Sequence, residues 1–475
     1  MRGGRSGAFW GPGLAGAVLA LALIAPPAAW SMTIDEALAL AYNNNPTLQA
    51  QRASLRATDE LVPQALSNYR PTITGSASYG RAWVNSQDNP LTGNGTAASN
   101  PGSAGITVQQ PLFRGGRTVA QTQQAENQVL AARAQLLTTE QTVLFNAATA
   151  YLNVLRDQAV LDLNVNNEQV LRRQLQATRD RFNVGEVTRT DVSQAEASLS
   201  NATAGRVAAE GQLAASRANF VNVIGVMPEN LTFPAAALQL PKSVQEATTA
   251  ASEKNPNVIA ALYTERAARY GVDLVEGELL PTVSLNGTFA RQVDQLTASG
   301  VGTLNRDNAT NAGSITAQLS MPLYEAGSVT SRVRQAKQTV SQSRQNVLAA
   351  RRSAIENATR AYNNLLSTRA QIVSFEAAVR SNTIALDGVR QENLAGLRTV
   401  LDVLDAEQAL LQSRVSLVSA RRDATLAQYD VRQAVGLLTA VDLRLNVDQY
   451  NVENHYNNVR NKIWGLGDPV EKPEE

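Results

Sequence analysis

Two carboxylates stand one helical turn apart in the stretch RTVLDVLDAEQAL, residues 398–410: Asp402 and Asp405, set among Leu401, Val403 and Leu404. A similar stretch, RTDVSQAEASL, begins at Arg189 and carries Asp191. Acids at i and i+3 share a helix face. They can cap a helix start, where a carboxylate meets unpaired N–H groups and the positive end of the helix dipole. They can also line a pore, where an acidic ring selects cations and mutual repulsion raises the acids' pKa values. Thr188 and Thr399 stand three residues before Asp191 and Asp402, the spacing of a capping box. For these two acids capping and gating weigh equally. Asp405 lies past the first turn, and capping does not account for it. Arg398 is a cation at a helix start, a poor match to the dipole, which points to a specific partner.

Little else in the chain could do chemistry. It has no cysteine and one histidine, His455, which reads as a surface or packing residue. That excludes disulfides, a thiolate nucleophile, a Cys-based zinc site and an N-terminal lipid anchor on cysteine. There is no Ser-His-Asp set, no paired-histidine motif, and RGGR at 114–117 is too short for a phosphate loop. No catalytic residue, metal or cofactor is expected. Lys+Arg number 42 against 41 Asp+Glu, so no basic excess marks a nucleic-acid partner. Arg2 and Arg5, the apolar run Leu14 to Ile24 and the Ala29-Trp30-Ser31 pattern predict a signal peptide over 1–31. No later stretch of ~20 apolar residues could form a membrane helix.

The elements that position the acids occur twice. Pro46 and Pro256 are 210 positions apart, as are Arg81 and Arg291; Tyr151 and Tyr362, Gly185 and Gly396, and Asp191 and Asp402 are 211 apart. One period over the whole chain means duplication of a large unit. Repeat 1 covers 32–241 and repeat 2 covers 242–440, with a C-terminal segment and disordered tail at 441–475. Each repeat is predicted to open with a helix, 33–62 and 243–279. A β-hairpin follows, 72–113 and 282–324, with strands of about 10 residues, the length that crosses a bilayer when tilted. Ile73, Ala77, Tyr79 and Trp83 alternate with Thr74, Ser76 and Ser78, and Val283, Leu285 and Phe289 with Thr282, Ser284 and Thr288. The returning strands carry Ile106 and Val108, and Ile315 to Leu323. The Asn/Gly/Ser/Thr-rich stretches 85–104 and 294–312 read as loops, which puts Tyr79, Trp83, Phe113, Phe289 and Tyr324 towards strand ends. A long helical hairpin closes each repeat, 117–225 and 328–437. Its first helix spans about 65 residues, hence ~98 Å, with a coiled-coil-like seam at Leu137, Leu144, Ala148, Tyr151 and Leu155. Gly185 and Gly396 mark the turns at its tips.

Four strands cannot close a membrane barrel, for which about 8 is the minimum, and an open edge cannot face lipid. Strands in a membrane would therefore be pooled by several chains. The stretches NPTLQAQ, ATAYLNVL, RFNVGEVTRTDV, MPLYEAG with VRQAK, and GLRTVLDVLDA make residues 32–440 resemble the TolC family of outer-membrane efflux proteins. The resemblance implies a mainly α fold with transmembrane β. Antiparallel coiled-coil helices form a periplasmic α-barrel, and four strands per chain join a homotrimer's 12-strand barrel in the outer membrane of a Gram-negative bacterium. It implies no catalysis, a periplasmic adaptor protein and an inner-membrane pump of ABC, RND or MFS type, serving drug efflux or type I secretion. It further implies that Asp402 and Asp405 ring the closed periplasmic entrance, and that Arg398 ties neighbouring coiled coils near Thr190 and Asp191. The tips around Val184 and Gly185, and around Ala395 and Gly396, would meet the adaptor. The chain departs from the family at Asn393, where members often carry Tyr, which shifts the weight of the closed state onto Arg398. The alternative is a soluble periplasmic coiled-coil scaffold or adaptor whose hairpins fold as small β-domains.

Overall fold

The computed structural model describes residues 32–89, 93–234, 238–298 and 304–467. The expected signal peptide and the 469–475 tail lie outside the described residues. The element order is α1 Ile34–Asn44, α2 Pro46–Asp59, α3 Leu61–Ser67, β1 Thr72–Tyr79, β2 Ala82–Asn89, β3 Gly93–Arg114, α4 Arg117–Asn183 and α5 Arg189–Ile224. Then come α6 Val244–Lys254, α7 Pro256–Glu276, β4 Thr282–Ala298, β5 Leu304–Ser320, α8 Ser328–Leu394, α9 Val400–Val435 and α10 Asn454–Arg460.

Helices α4 and α8 each hold 67 residues, and α5 and α9 each hold 36. At 1.5 Å per residue the long helices run ~100 Å. Their seams are built largely from small side chains. Ala147, Ala148 and Ala150 are buried around Tyr151 in one cluster, and Ala354, Ala358 and Ala361 pack with Ala427 and Val431 in another. Alanine costs no side-chain entropy and lets backbones come close over a long contact. Of the expected seam, Leu144, Ala148 and Tyr151 are fully buried, but Leu137 is exposed and its neighbour Leu136 takes the inward position. A straight helix drifts against a strict seven-residue repeat, so a seam read far along it slips by one residue. Among the described residues no helix is long and apolar enough to cross a membrane.

The single opening helix expected in each repeat is broken at an Asn-Pro step. Proline cannot continue a helix but suits its first position. Asn45 Oδ1 accepts from Thr47 N at 3.0 Å and starts α2, while its Nδ2 donates to Val223 O at 2.9 Å, beside the end of α5. Asn255 does the same in repeat 2, accepting from Asn257 N at 2.9 Å and donating to Ala434 O at 3.0 Å near the end of α9. One amide thus starts one helix and closes another. The matched tyrosines also do corresponding work. Tyr151 Oη lies 2.8 Å from Met32 O and 2.6 Å from Thr232 O, and Tyr362 Oη donates to Lys242 O at 2.9 Å. Each pins the segment that enters or leaves its repeat.

The strands form one antiparallel sheet in the order β1, β3, β4, β5, with β2 also on β3. Strands β1 and β2 pair in succession with β3, so they act as one strand interrupted at Gly80 and Arg81. The strands are much longer than expected: β3 has 22 residues, β4 and β5 have 17 each. Most of 85–104 and 294–312, expected as loops, belongs to them. Polar residues leave no alternation to read, yet backbone pairing does not require apolar side chains. Phe289 consequently lies mid-strand, not near a strand end, whereas Tyr79 ends β1, Trp83 is second in β2 and Phe113 is next to last in β3. Met321, Leu323 and Tyr324 lie beyond the last strand, which stops at Ser320.

Register settles the faces. Ile73 pairs with Val108, Ile106 with Phe289, Leu285 with Ala317, and Val283 with Leu319. These residues share one face across β1, β3, β4 and β5, and Ile73, Phe289, Ile315 and Leu319 on it are exposed. The opposite face carries hydroxyls, with Ser78 and Ser103 Oγ 2.8 Å apart and Thr288 Oγ1 2.7 Å from Ser314 Oγ. At the foot of the sheet RGGR turns β3 into α4. Gly115 has φ +63°, and a Cβ there would sit 2.3 Å from Gly277 O at the end of α7. Only glycine allows that approach.

The C-terminal segment returns along the opening helices. Leu438, Ala440 and Leu445 join the core cluster of α1, α2 and α4, and Ala440 N donates to Glu140 Oε1 at 2.8 Å. Burial pushes the Glu140 carboxyl above its ordinary pKa. The Arg52 guanidinium sits between the rings of Tyr42 and Tyr450, 4.5 and 5.1 Å from their centroids. His455 Nδ1 lies 3.1 Å from Oδ2 of buried Asp59, so the lone histidine fastens this segment.

Candidate gate at the helix tips

The two long hairpins turn back at the same level because their helices have equal lengths. Both turns are Schellman motifs. Glu186 N donates to Arg181 O and Gly185 N to Phe182 O, both at 2.9 Å; Leu397 N donates to Glu392 O at 2.9 Å and Gly396 N to Asn393 O at 3.1 Å. Gly185 and Gly396 take the left-handed position, with φ +84° and +76°. Val184, Ala395 and Leu397 around them are exposed.

The next helix starts with a complete capping box in each repeat. Thr188 Oγ1 accepts from Asp191 N at 3.3 Å, and Asp191 Oδ2 accepts from Thr188 N at 2.8 Å. Thr399 Oγ1 accepts from Asp402 N at 3.2 Å, and Asp402 Oδ2 accepts from Thr399 N at 2.9 Å and Thr399 Oγ1 at 2.8 Å. Thr399 holds the Asp402 carboxyl below its ordinary pKa, through hydroxyl and backbone N–H, with a smaller contribution from Arg398. Asp405 is exposed one turn further on and has no hydrogen-bond partner among the described residues. Thr190 is exposed.

Within the chain Arg398 turns to its own hairpin. Its Nε donates to Glu392 Oε2 at 2.8 Å, and its Nη1 lies 3.9 Å from Asp402 Oδ1. Glu392 chiefly raises the Arg398 pKa. Contact between the hairpins is made by other groups. Val400 and Leu404 pack with Leu171, Leu175 and Ala195, which brings the starts of α5 and α9 together. Arg181 Nη1 donates to Asn393 Oδ1 at 3.1 Å, and Asn393 Nδ2 donates to Arg398 O at 2.8 Å. Asn393 is buried, so it joins the two tips and both sides of its own turn. Arg181 was not singled out in the sequence; the signal available was that an Asn inside the last helical turn wants polar partners. No group of residues that could hold a metal is found among the described residues.

A family model for outer membrane efflux proteins matches the chain twice, over residues 37–226 and 248–437. The chain belongs to the outer membrane efflux protein family. As an outer membrane efflux protein it is similar to the outer membrane efflux protein BepC of Brucella suis biovar 1, 36% identical over 93% of both chains. It is also similar to the outer membrane protein TolC of Vibrio cholerae, 30% identical over 88% of this chain and 93% of that one. Its fold matches the solved CmeC outer membrane channel of Campylobacter jejuni with a TM-score of 0.74 and 16% identity, over 90% of this chain and 89% of that one. The TolC-family resemblance therefore holds, and with it an outer-membrane location for this efflux protein.

Proposed function

We propose that three copies of the chain assemble into an outer-membrane duct whose periplasmic mouth is gated by the helix tips. The observation that carries this is the sheet. It has an apolar face that reaches as far as Phe289 and gives way to Arg291 and Asn311 beyond it, one hydroxyl face, and two outer strands, β1/β2 and β5, each paired on one side only among the described residues. Such a sheet fits a barrel wall with lipid outside and water within, and lipid forbids unpaired edges, so sister copies supply the pairing. From Thr72 to Trp83 the strand covers ~36 Å at ~3.3 Å per residue. A tilt of ~40° makes that ~28 Å of height, close to the ~25 Å apolar band of such barrels. The polar outer halves of β3 to β5 project beyond it.

In the trimer Asp402 and Asp405 of each copy face one axis, and six carboxylates there select and bind cations. Asp191 and Thr190 face the neighbouring coiled coil, and Arg398 exchanges Glu392 for them as the mouth closes. Val184, Gly185, Ala395 and Gly396 offer turn backbone and apolar surface to a periplasmic adaptor, with an inner-membrane pump of ABC, RND or MFS type beyond it. Cargo is small molecules or proteins, and the chain performs no catalysis. Family membership and the unpaired strand edges favour this over a soluble periplasmic scaffold. Detergent-extracted protein should run as a trimer and form ion-conducting pores in planar bilayers. A monomer that stays in solution without detergent would overturn the reading.

A further inference from the structure

We infer that the C-terminal turn Lys462–Gly467 is a second membrane contact, an interfacial anchor seated in the inner leaflet of the outer membrane beside the barrel foot. The inference rests on the barrel reading above. Ile463, Trp464 and Leu466 are 76, 91 and 106% exposed, the most exposed apolar group among the described residues of the C-terminal segment. They are held in place, not trailing. Lys462 N donates to Val459 O at 2.9 Å at the end of α10, and Lys462 Nζ donates to Gly467 O at 2.6 Å, which closes the turn and leaves the apolar side chains outside it. Arg70 Nη1 donates to Lys462 O at 2.9 Å. Arg70 stands two residues before β1 begins at Thr72, so the turn lies at the level where the sheet's apolar face starts.

The neighbourhood has headgroup chemistry. A cleft of about 550 Å³ runs beside the turn, lined by Arg56, Lys462, His455 and one acid, Glu60, with Trp464 and Leu466 on its lip. Cations behind an apolar lip suit anionic phospholipid, with phosphates on Arg56, Lys462 and Arg70 and side chains reaching into the acyl region. Tryptophan favours this depth because its ring is apolar and its N–H polar.

The test uses the two tryptophans of the described chain. In one variant Trp10→Phe, Trp30→Phe and Trp83→Phe leave Trp464 as the sole indole; in the other Trp464→Phe replaces Trp83→Phe, leaving Trp83 in β2. Each is reconstituted in phosphatidylglycerol-containing vesicles with acyl chains brominated at shallow or deep positions. We expect Trp464 emission to fall at least about twofold more with shallow than with deep bromines, as for an interfacial ring. Quenching of Trp83 by brominated lipid with none at Trp464 would overturn the anchor and leave the barrel standing. In that case iodide quenching of Trp464 would place it in water, and none would place it against a sister copy. Absence of lipid quenching at both would overturn the barrel and the anchor together.

Discussion

Arg181 and Asn393 are 212 residues apart in the chain, yet the Arg181 guanidinium donates to the Asn393 amide oxygen at 3.1 Å. That bond joins the tips of the two helical hairpins, and Asn393 is buried while making it. Asn393 closes the gap between the tips by bonding to both sides, accepting from Arg181 and donating to Arg398 O. Asn393→Ala should therefore loosen both turns. Losing the bond leaves the Arg398 carbonyl and the Arg181 guanidinium short of a partner, worth about 1 kcal/mol. Hydrogen exchange at amides 181–187 and 392–399 should quicken about fivefold. Arg181→Ala should quicken exchange at 181–187, since Arg181 also pairs with Glu186 in that turn, while leaving 392–399 slow because the Asn393 bond to Arg398 O is kept.

Asp402 and Asp405 separate experimentally because Asp402 is committed to a cap and Asp405 is not. Asp405→Asn alone should weaken divalent-cation block of single-channel current in planar bilayers while leaving the tip fold intact. Asp402→Ala with Asp405→Ala should weaken block further and also fray the start of α9, because the Thr399 N–H loses its acceptor. Unchanged block in both variants would remove the acidic ring.

Arg398→Ser removes the pairs to Glu392 and Asp402 and any contact made across copies. We expect higher resting conductance and greater antibiotic entry into cells. If conductance and entry match the parent, Arg398 does not hold the mouth closed.

The cap carries a pH dependence of known sign. Thr399 and, less, Arg398 keep the Asp402 pKa lower in the folded chain than unfolded. The contribution is thus present above the ordinary aspartate value of about 3.9 and is lost as pH falls through the lower folded value. A spin label at exposed Leu397 should stay immobile from neutral pH to about pH 4 and gain mobility only below that. Asp402→Asn should abolish the step.

Asn45→Ala and Asn255→Ala each remove an N-cap acceptor and the donor to Val223 O or Ala434 O. Each should cost about 1–2 kcal/mol. Asn45→Asp keeps the acceptor but loses the donor, and should fall between. Thermal unfolding by circular dichroism in detergent checks the order.

Much of this molecule was legible before its fold. Proline-free stretches of Ala, Gln, Leu and Arg made α4 and α8, because local helix preference summed over so many residues needs no tertiary help. Thr188 with Asp191, and Thr399 with Asp402, spelled out their capping boxes, since each closes within four residues. The β-strands were legible only where apolar and polar residues alternate. Beyond Trp83 β2 runs on as VNSQDN, beyond Phe289 β4 runs on as ARQVDQLTA, and β3 opens on Asn, Gly, Ser and Thr; none of these alternates cleanly, and only the neighbouring strand decides that such a stretch extends.

What the tertiary structure alone decided are the meetings of groups far apart in the chain. Nothing near Asn45 announces Val223, nothing near Arg181 announces Asn393, and nothing near Arg70 announces Lys462. Each partner is chosen by how two elements pack, and a side chain's reach of a few ångströms cannot be read from its own neighbours. Helix periods, caps and strand faces are short-range properties and survive in one dimension; the joints between the two repeats and the seating of the C-terminal turn are not, because they exist only once the copies stand side by side.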